Sequence, residues 1–272
     1  MSATTTEPTY ADVADLGAYP IHRLDTAAGA ALVGRSREEL AANGVCNLPG
    51  FIRPAAVEAM IDLAGQLADK AWPSDQMHTI YFKPVDQEVP NDHPLAHTVR
   101  SAKHGIAYDY IPRDAPLRRL YESDDMTRFV AAVLGKDRLY RSADPLDALQ
   151  VTAFHPGEEL GWHFDNSEFS ITVMFQQPDE GGEFVYVPGL RSAQDPNYEG
   201  VQRVLQGDTS AVRSLPSAPG TLALFHGHDA LHRVLPVAGT RPRINSVLTY
   251  GEAPDMRLSD LTSQLFYGRT SS

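Results

Sequence analysis

From about residue 146 onward the chain is a series of short β-branched and aromatic runs: "LDALQVTAFH", "FSITVMFQ", "GEFVYVP", "GTLALF", "LHRVLPV" and "RINSVLTY". They are separated by "PGEELG", "PDEGG", "SAPG", "HGHDA" and "AGTRP". Short strands cut by Gly and Pro turns at this spacing call for an antiparallel sandwich or barrel. The longer segment "DPNYEGVQRVLQGD" reads as an insertion between strands that holds a small helix.

The first half has a different texture. "SREELAANGVCNLPGF" predicts a short helix capped at Ser36, with Glu39 as the capping-box partner, a stop at Gly44 and a strand over "VCNL". In "RPAAVEAMIDLAGQLADKAW", Pro54 falls in the first turn and Val57, Met60, Ile61, Ala64 and Leu67 share one face, which predicts an amphipathic helix. A second helix is expected over 115–135, ending at Gly135. Residues 73–113, rich in Pro, His, Asp and Tyr and without a period, read as a long loop with short strands that serves as a lid or binding segment. Residues 1–20, small and polar, are expected to be a loosely ordered tail. With no internal repeat, the expectation is one domain over 1–272, with a helical and lid region over 36–140 and a β core over 144–272.

Composition removes several function classes. A net charge of −12 argues against binding a phosphate backbone, so no nucleic-acid partner is expected. No apolar run approaches the length of a membrane span, and the N-terminus lacks the pattern of a signal peptide, so a cytoplasmic protein without a membrane partner is expected. The single cysteine, Cys46, rules out an internal disulfide and a multi-cysteine metal site.

The chemistry concentrates in two places. In "GWHFDNSEF", His163 and Asp165 stand two apart, and on a strand that spacing aims both side chains at one face. A third ligand from another strand would complete a two-histidine, one-carboxylate face of the kind that holds non-haem iron. His232 opens a later strand and is the candidate, with His226 and His228 in the turn "HGHDA" as rivals. The bland alternative is a surface-turn histidine beside an aspartate that caps the next strand. Arg243, Asn245 and Val247 share one face of the last strand. A guanidinium buried in a β-sandwich needs an anion and suits bidentate capture of a carboxylate. Arg241, of the same strand parity, competes for that role, and either arginine can instead pair with a surface acid.

The segments "GWHFDNSEFSITVMFQ…GGEFVYVP" and "GTLALFHGHDALHRVLPV…RPRINSVLTY", with the tail "LFYGRT", resemble the core of the Fe(II)/2-oxoglutarate-dependent oxygenases. The likeness is strongest to the free-amino-acid (lysine) halogenases and their hydroxylase relatives, and it spans roughly residues 140–270. The resemblance implies an α+β fold, a double-stranded β-helix (jelly roll) with N-terminal helices packed on one sheet. It implies Fe(II) held by His163, Asp165 and His232, with 2-oxoglutarate and O2 as co-substrates, and Arg243 or Arg241 holding 2-oxoglutarate. In the halogenases of this group a small residue replaces the carboxylate and leaves an iron position for chloride. Retention of Asp165 therefore implies a hydroxylase.

The implied substrate is a small molecule, a free amino acid or a derivative. Its candidate contacts are Asn166, Asn245, Asp144 and Asp147, with Gln150 and Thr152 facing the pocket in part. A carboxylate near the pocket suits an ammonium group. Leu160 stands where the lysine halogenases make a polar contact, which points away from lysine itself. Tyr108, Asp109 and Trp162 are lid candidates, Trp162 also a core residue. Such an enzyme is expected to work as a monomer or homodimer. A halogenase-like outcome on the same scaffold, a cupin-type metal protein using "HGH" and a metal-free binding module are the competing readings. The cupin reading wants a further Glu and His at set spacing, which the sequence lacks.

Overall fold

In the computed structural model, residues 8–84 and 88–270 are described. Ten strands carry the architecture: β1 (Val45–Leu48), β2 (Trp72–Thr79), β3 (Thr98–Ile106), β4 (Leu149–Phe154), β5 (Leu160–His163), β6 (Ser170–Gln176), β7 (Phe184–Val187), β8 (Leu222–Phe225), β9 (Leu231–Val234) and β10 (Arg243–Leu248). They join one curled antiparallel sheet in the order β1-β8-β6-β10-β4-β3-β5-β9-β7, extended by a two-residue strand at Arg213–Ser214, with β2 paired to β3. Six helices accompany it: α1 (Ala27–Asn43), α2 (Pro54–Gln66), α3 (Pro116–Tyr121), α4 (Asp124–Leu134), α5 (Tyr198–Leu205) and α6 (Asp260–Tyr267). This is the α+β jelly-roll arrangement that the resemblance implies.

The two faces of the sheet differ because side chains alternate along each strand. Leu149 and Val151 on β4, Ile171, Val173 and Phe175 on β6 and Ile244 and Leu248 on β10 are buried in one apolar cluster. Leu32 and Leu40 of α1, Met60 of α2 and Phe129 and Val130 of α4 complete that cluster, so the helices cover this face. The other face is polar. Register pairs Arg243 with Phe154, Asn245 with Thr152 and Val247 with Gln150, and pairs Gly105 of β3 with Thr152, which puts Lys103 on the same side. A bulge then brings β5 into line. Val234 opposes Leu160 and His232 opposes His163, so three residue steps on β5 answer two on β9, and Leu160 and His163 turn to the same inner face.

Several expectations need correction. The first helix begins at Ala27, capped by Thr26, whose hydroxyl accepts the Gly29 N–H; Ser36 is buried in its middle and caps nothing. Glu39 instead accepts the Asn47 N–H. The 115–135 helix is two helices, broken where Ser123 caps α4 through the Met126 N–H. In 73–113 the expected strands are β2 and β3, longer than foreseen and paired over eight residues, with the described residues between them, in 80–97, outside any strand. Residues 8–20 are not a loose tail: Tyr10, Val13 and Ala14 are buried, and the Tyr10 hydroxyl donates to Asp125. The rest of that expectation, on residues 1–7, lies outside the described residues. The Gly44 and Gly135 stops, the helix at Pro54, the insertion helix and the six core runs stand where the sequence places them. Among the described residues, no helix is long and apolar enough to cross a membrane.

Candidate metal centre

β5 ends at His163, and Asp165 lies just beyond it, tied by its N–H to the Gly227 carbonyl at 3.1 Å. That contact explains the glycine inside "HGH". A Cβ on Gly227 would stand 1.9 Å from Asp165 Oδ2, so only glycine lets the turn and the carboxylate approach so closely. Ser170 Oγ donates to Asp165 Oδ2 at 2.6 Å. The other oxygen, Oδ1, faces His163 Nε2 at 3.6 Å and His232 Nε2 at 3.5 Å. His232 is the direct cross-strand partner of His163, and their ring centroids are 4.0 Å apart.

Tautomers follow from the outer contacts. Nδ1 of His163 lies 2.8 Å from the Gly161 carbonyl, and Nδ1 of His232 lies 2.9 Å from the Ala230 carbonyl. A carbonyl only accepts, so each Nδ1 carries the hydrogen and each Nε2 presents a lone pair inward. Burial, helped by the neighbouring His232, pushes the His163 pKa down to about 4, which keeps that ring in the neutral, metal-binding form at neutral pH. Phe82 meets the His163 ring edge-on, while Phe225 and Phe184 wall in His232. Three electron-pair donors therefore converge with their ligand atoms all within 4.8 Å of one another. That donor set fits Fe(II).

Arg243 is 5% exposed and has no acidic partner among the described residues. One Nη donates to Asn245 Oδ1, the guanidinium lies 5.5 Å from the Phe154 ring centre, and Nε is buried without a partner. Burial pulls its pKa down to about 10. A buried cation in this state is costly unless an anion joins it. It borders a cavity of about 260 Å³, shared with Met174, Gly182, Phe184 and Leu215, so the residues fit a carboxylate co-substrate. Arg241, the rival, is exposed and pairs with Asp179 at 3.3 Å.

The substrate candidates separate. Asn245 is on the inner face but is taken up as the Arg243 acceptor. Asp144 uses Oδ1 for the Leu146 and Asp147 N–H groups and Oδ2 for the Leu258 N–H, which makes it a turn residue that ties down the C-terminal segment. Asn166 is exposed on the loop past Asp165. Asp147 Oδ1 accepts from the Tyr267 hydroxyl at 2.8 Å and Gln150 Nε2 at 3.3 Å, while Thr249 Oγ1 lies 3.3 Å from Oδ2. Burial raises its pKa to about 6. Thr152 Oγ1 donates to Gln150 Oε1, which extends this network along β4.

His226 and His228 lie outside the three-ligand cluster; His228 Nδ1 pairs with Asp229. The lid candidates Tyr108 and Asp109 are both engaged by neighbouring side chains. Tyr108 donates to Glu122, and Asp109 pairs with Arg269. Trp162 packs in the core beneath the Arg233 guanidinium. Sequence reasoning missed Ser170, Lys103, Phe82 and Tyr267. Only Tyr267 carried a signal, through the tail "LFYGRT".

A family described as halogenase D matches residues 29–265, most of the chain. No curated protein matches it by sequence. Among solved structures, it is similar to SnoN, a non-haem α-ketoglutarate-dependent epimerase of nogalamycin biosynthesis, at 16% identity and TM-score 0.55 over 82% of this chain and 84% of that one. A prolyl hydroxylase from Trichoplax adhaerens aligns at 14% identity and TM-score 0.53 over 90% of this chain and 94% of that one. A 2OG-Fe(II) oxygenase-family oxidoreductase from Burkholderia pseudomallei aligns at 17% identity and TM-score 0.50, covering 80% and 90%. Enzymes of this class use Fe(II), 2-oxoglutarate and O2, and the three inward ligands and the bare Arg243 suit those groups. The chain belongs to the halogenase D family.

Proposed function

We propose that this protein hydroxylates an unactivated C–H bond of a free amino acid or a close derivative, converting 2-oxoglutarate to succinate and CO2. The observation that carries the reading is Asp165. Its Oδ2 is fixed by Ser170 and its Oδ1 faces both imidazoles, so a protein oxygen takes the ligand position that a halide would need. Membership of a family named for halogenation does not alter that constraint.

The chain's own residues then have defined tasks. His163, Asp165 and His232 would hold Fe(II), with the carbonyls of Gly161 and Ala230 fixing both ring orientations. Arg243, set by Asn245, would take the distal carboxylate of 2-oxoglutarate. When bound, iron would activate O2, the oxidant, with two electrons from oxidative decarboxylation of 2-oxoglutarate and two from the C–H bond, one oxygen atom entering succinate and the other the substrate. Phe82, Phe184 and Phe225 keep water from the imidazole faces. The test is a succinate-release screen across free amino acids under air, with mass spectrometry of the products. Release with at least one amino acid, and a product one oxygen heavier, is expected. No release with any of them, while 2-oxoglutarate still binds the Fe(II) enzyme, contradicts an amino-acid substrate.

A further inference from the structure

The hold on His163 extends past the Gly161 carbonyl. Gly161 and Trp162 lie inside the β5 bulge, between the Leu160–Val234 and His163–His232 pairs, where the ladder to β9 is interrupted. A buried N–H in such a gap needs a partner from elsewhere. Ser101 of β3, itself buried, supplies it: its Oγ accepts the Gly161 N–H at 3.1 Å. The two strands come this close because residue 161 is glycine; a Cβ there would stand 2.6 Å from the Arg100 carbonyl oxygen.

The Ser101 hydroxyl is oriented in turn. His78 Nδ1 lies 2.9 Å from the Thr79 carbonyl, and His78 Nε2 lies 2.6 Å from Ser101 Oγ. A carbonyl only accepts, so Nδ1 carries the hydrogen, Nε2 offers a lone pair, and the Ser101 O–H donates to it. That leaves the oxygen free to accept from Gly161. Burial pushes the His78 pKa down, which keeps the ring in this neutral form. The turn beyond β2 is tied to the same chain. The Thr79 carbonyl accepts the Phe82 N–H at 2.9 Å, and Thr79 Oγ1 donates to the Lys83 carbonyl at 2.6 Å and accepts its N–H at 3.0 Å. This clamp holds Phe82 at φ 51°, uncommon for a residue other than glycine, with its ring stacked 4.3 Å from His78 and edge-on 5.3 Å from His163.

We propose that Ser101 and His78 are positioning residues for the metal ligand His163, acting in series through Gly161. Glycine has no Cβ to restrict its own carbonyl direction, so pinning its N–H decides how that carbonyl meets His163 Nδ1 at 2.8 Å. The inference rests on the reading of His163, Asp165 and His232 as a metal site and is independent of the substrate. Were the hydroxyl only filling a buried gap, its loss would lower stability and leave metal binding alone.

The test is Fe(II) titration of the anaerobic protein, with the visible charge-transfer band of the Fe(II)·2-oxoglutarate form and thermal unfolding of the metal-free protein recorded alongside. Ser101→Ala is expected to lose about tenfold in Fe(II) affinity, the low end for outer partners of a ligand, and to displace the band. His78→Phe keeps the stack on Phe82 but removes the acceptor, and is expected to lose about threefold or more, the effect of one hydrogen bond. His78→Gln, which can still accept from Ser101, is expected to restore the wild-type affinity. The double variant Ser101→Ala/His78→Phe is expected to bind no more weakly than Ser101→Ala alone, since the two residues act through one chain. Wild-type affinity and band in Ser101→Ala and His78→Phe, whatever their unfolding temperatures, overturn the inference, and additive losses in the double variant overturn the serial chain. Should Ser101→Ala fail to fold, the contrast of His78→Phe with His78→Gln decides alone. A wild-type protein that binds no Fe(II) overturns the metal-site reading itself, and this inference with it.

Discussion

Asp165 is anchored through one oxygen and exposed to the metal position through the other, which makes Ser170 the residue that decides how the carboxylate points. Outer partners of this kind set ligand orientation, and their loss typically costs 10–100-fold in metal affinity. Ser170→Ala is therefore expected to weaken Fe(II) binding by at least about tenfold, read by metal titration. Unchanged affinity would show that Gly227 alone fixes the carboxylate. At this scale the sequence was legible where chemistry repeats in a short motif. His163 and Asp165 stood out by their spacing, His232 by its place at the head of a strand and by the resemblance, and Arg243 as a cation on an apolar strand, with Arg241 of the same parity still a rival. Lys103 did not, because "SAKHG" has neither period nor motif, and a lysine in a polar run reads as solvated until the register puts it on an inner face. Asp144 was a candidate because its carboxylate precedes the first core strand, but its oxygens serve three backbone N–H groups, as the alternative reading of a loop residue before Pro145 expects.

Among the elements, α1 shows what the sequence conceals. Its first turns, "AAGAALVG", hold two glycines and no strong apolar stripe, so the sequence pattern places the cap ten residues late, at Ser36 instead of Thr26. Gly29 is there for contact rather than freedom, since a Cβ would lie 2.1 Å from the Arg23 carbonyl oxygen. Gly29→Ala is expected to destabilise the fold by about 1–3 kcal/mol despite alanine's better helix propensity, as overpacking against backbone outweighs it. A denaturant midpoint that rises in this variant would contradict the close approach. β2 and β3 were hidden for a related reason. β2 is half exposed, with only Ser74 and Thr79 buried, so it lacks the apolar alternation that marks a core strand. The core strands β4, β6 and β10 were legible because one face packs on helices and must be apolar.

Across the whole molecule, one sheet divides the work. Its outer face is an apolar bed for α1, α2 and α4, and its inner face collects His163, His232, Arg243, Lys103, Gln150 and Thr152. On a chain of net charge −12, that inner face nonetheless carries two cations, Arg243 and Lys103. The account's central claim is that Asp165 commits this scaffold to oxygen transfer. The direct measurement is product mass after turnover of the native enzyme with Fe(II), 2-oxoglutarate, O2 and its best amino acid in high chloride. A product one oxygen heavier, with no chlorinated species, is predicted; a product carrying chlorine from the unaltered sequence would contradict it.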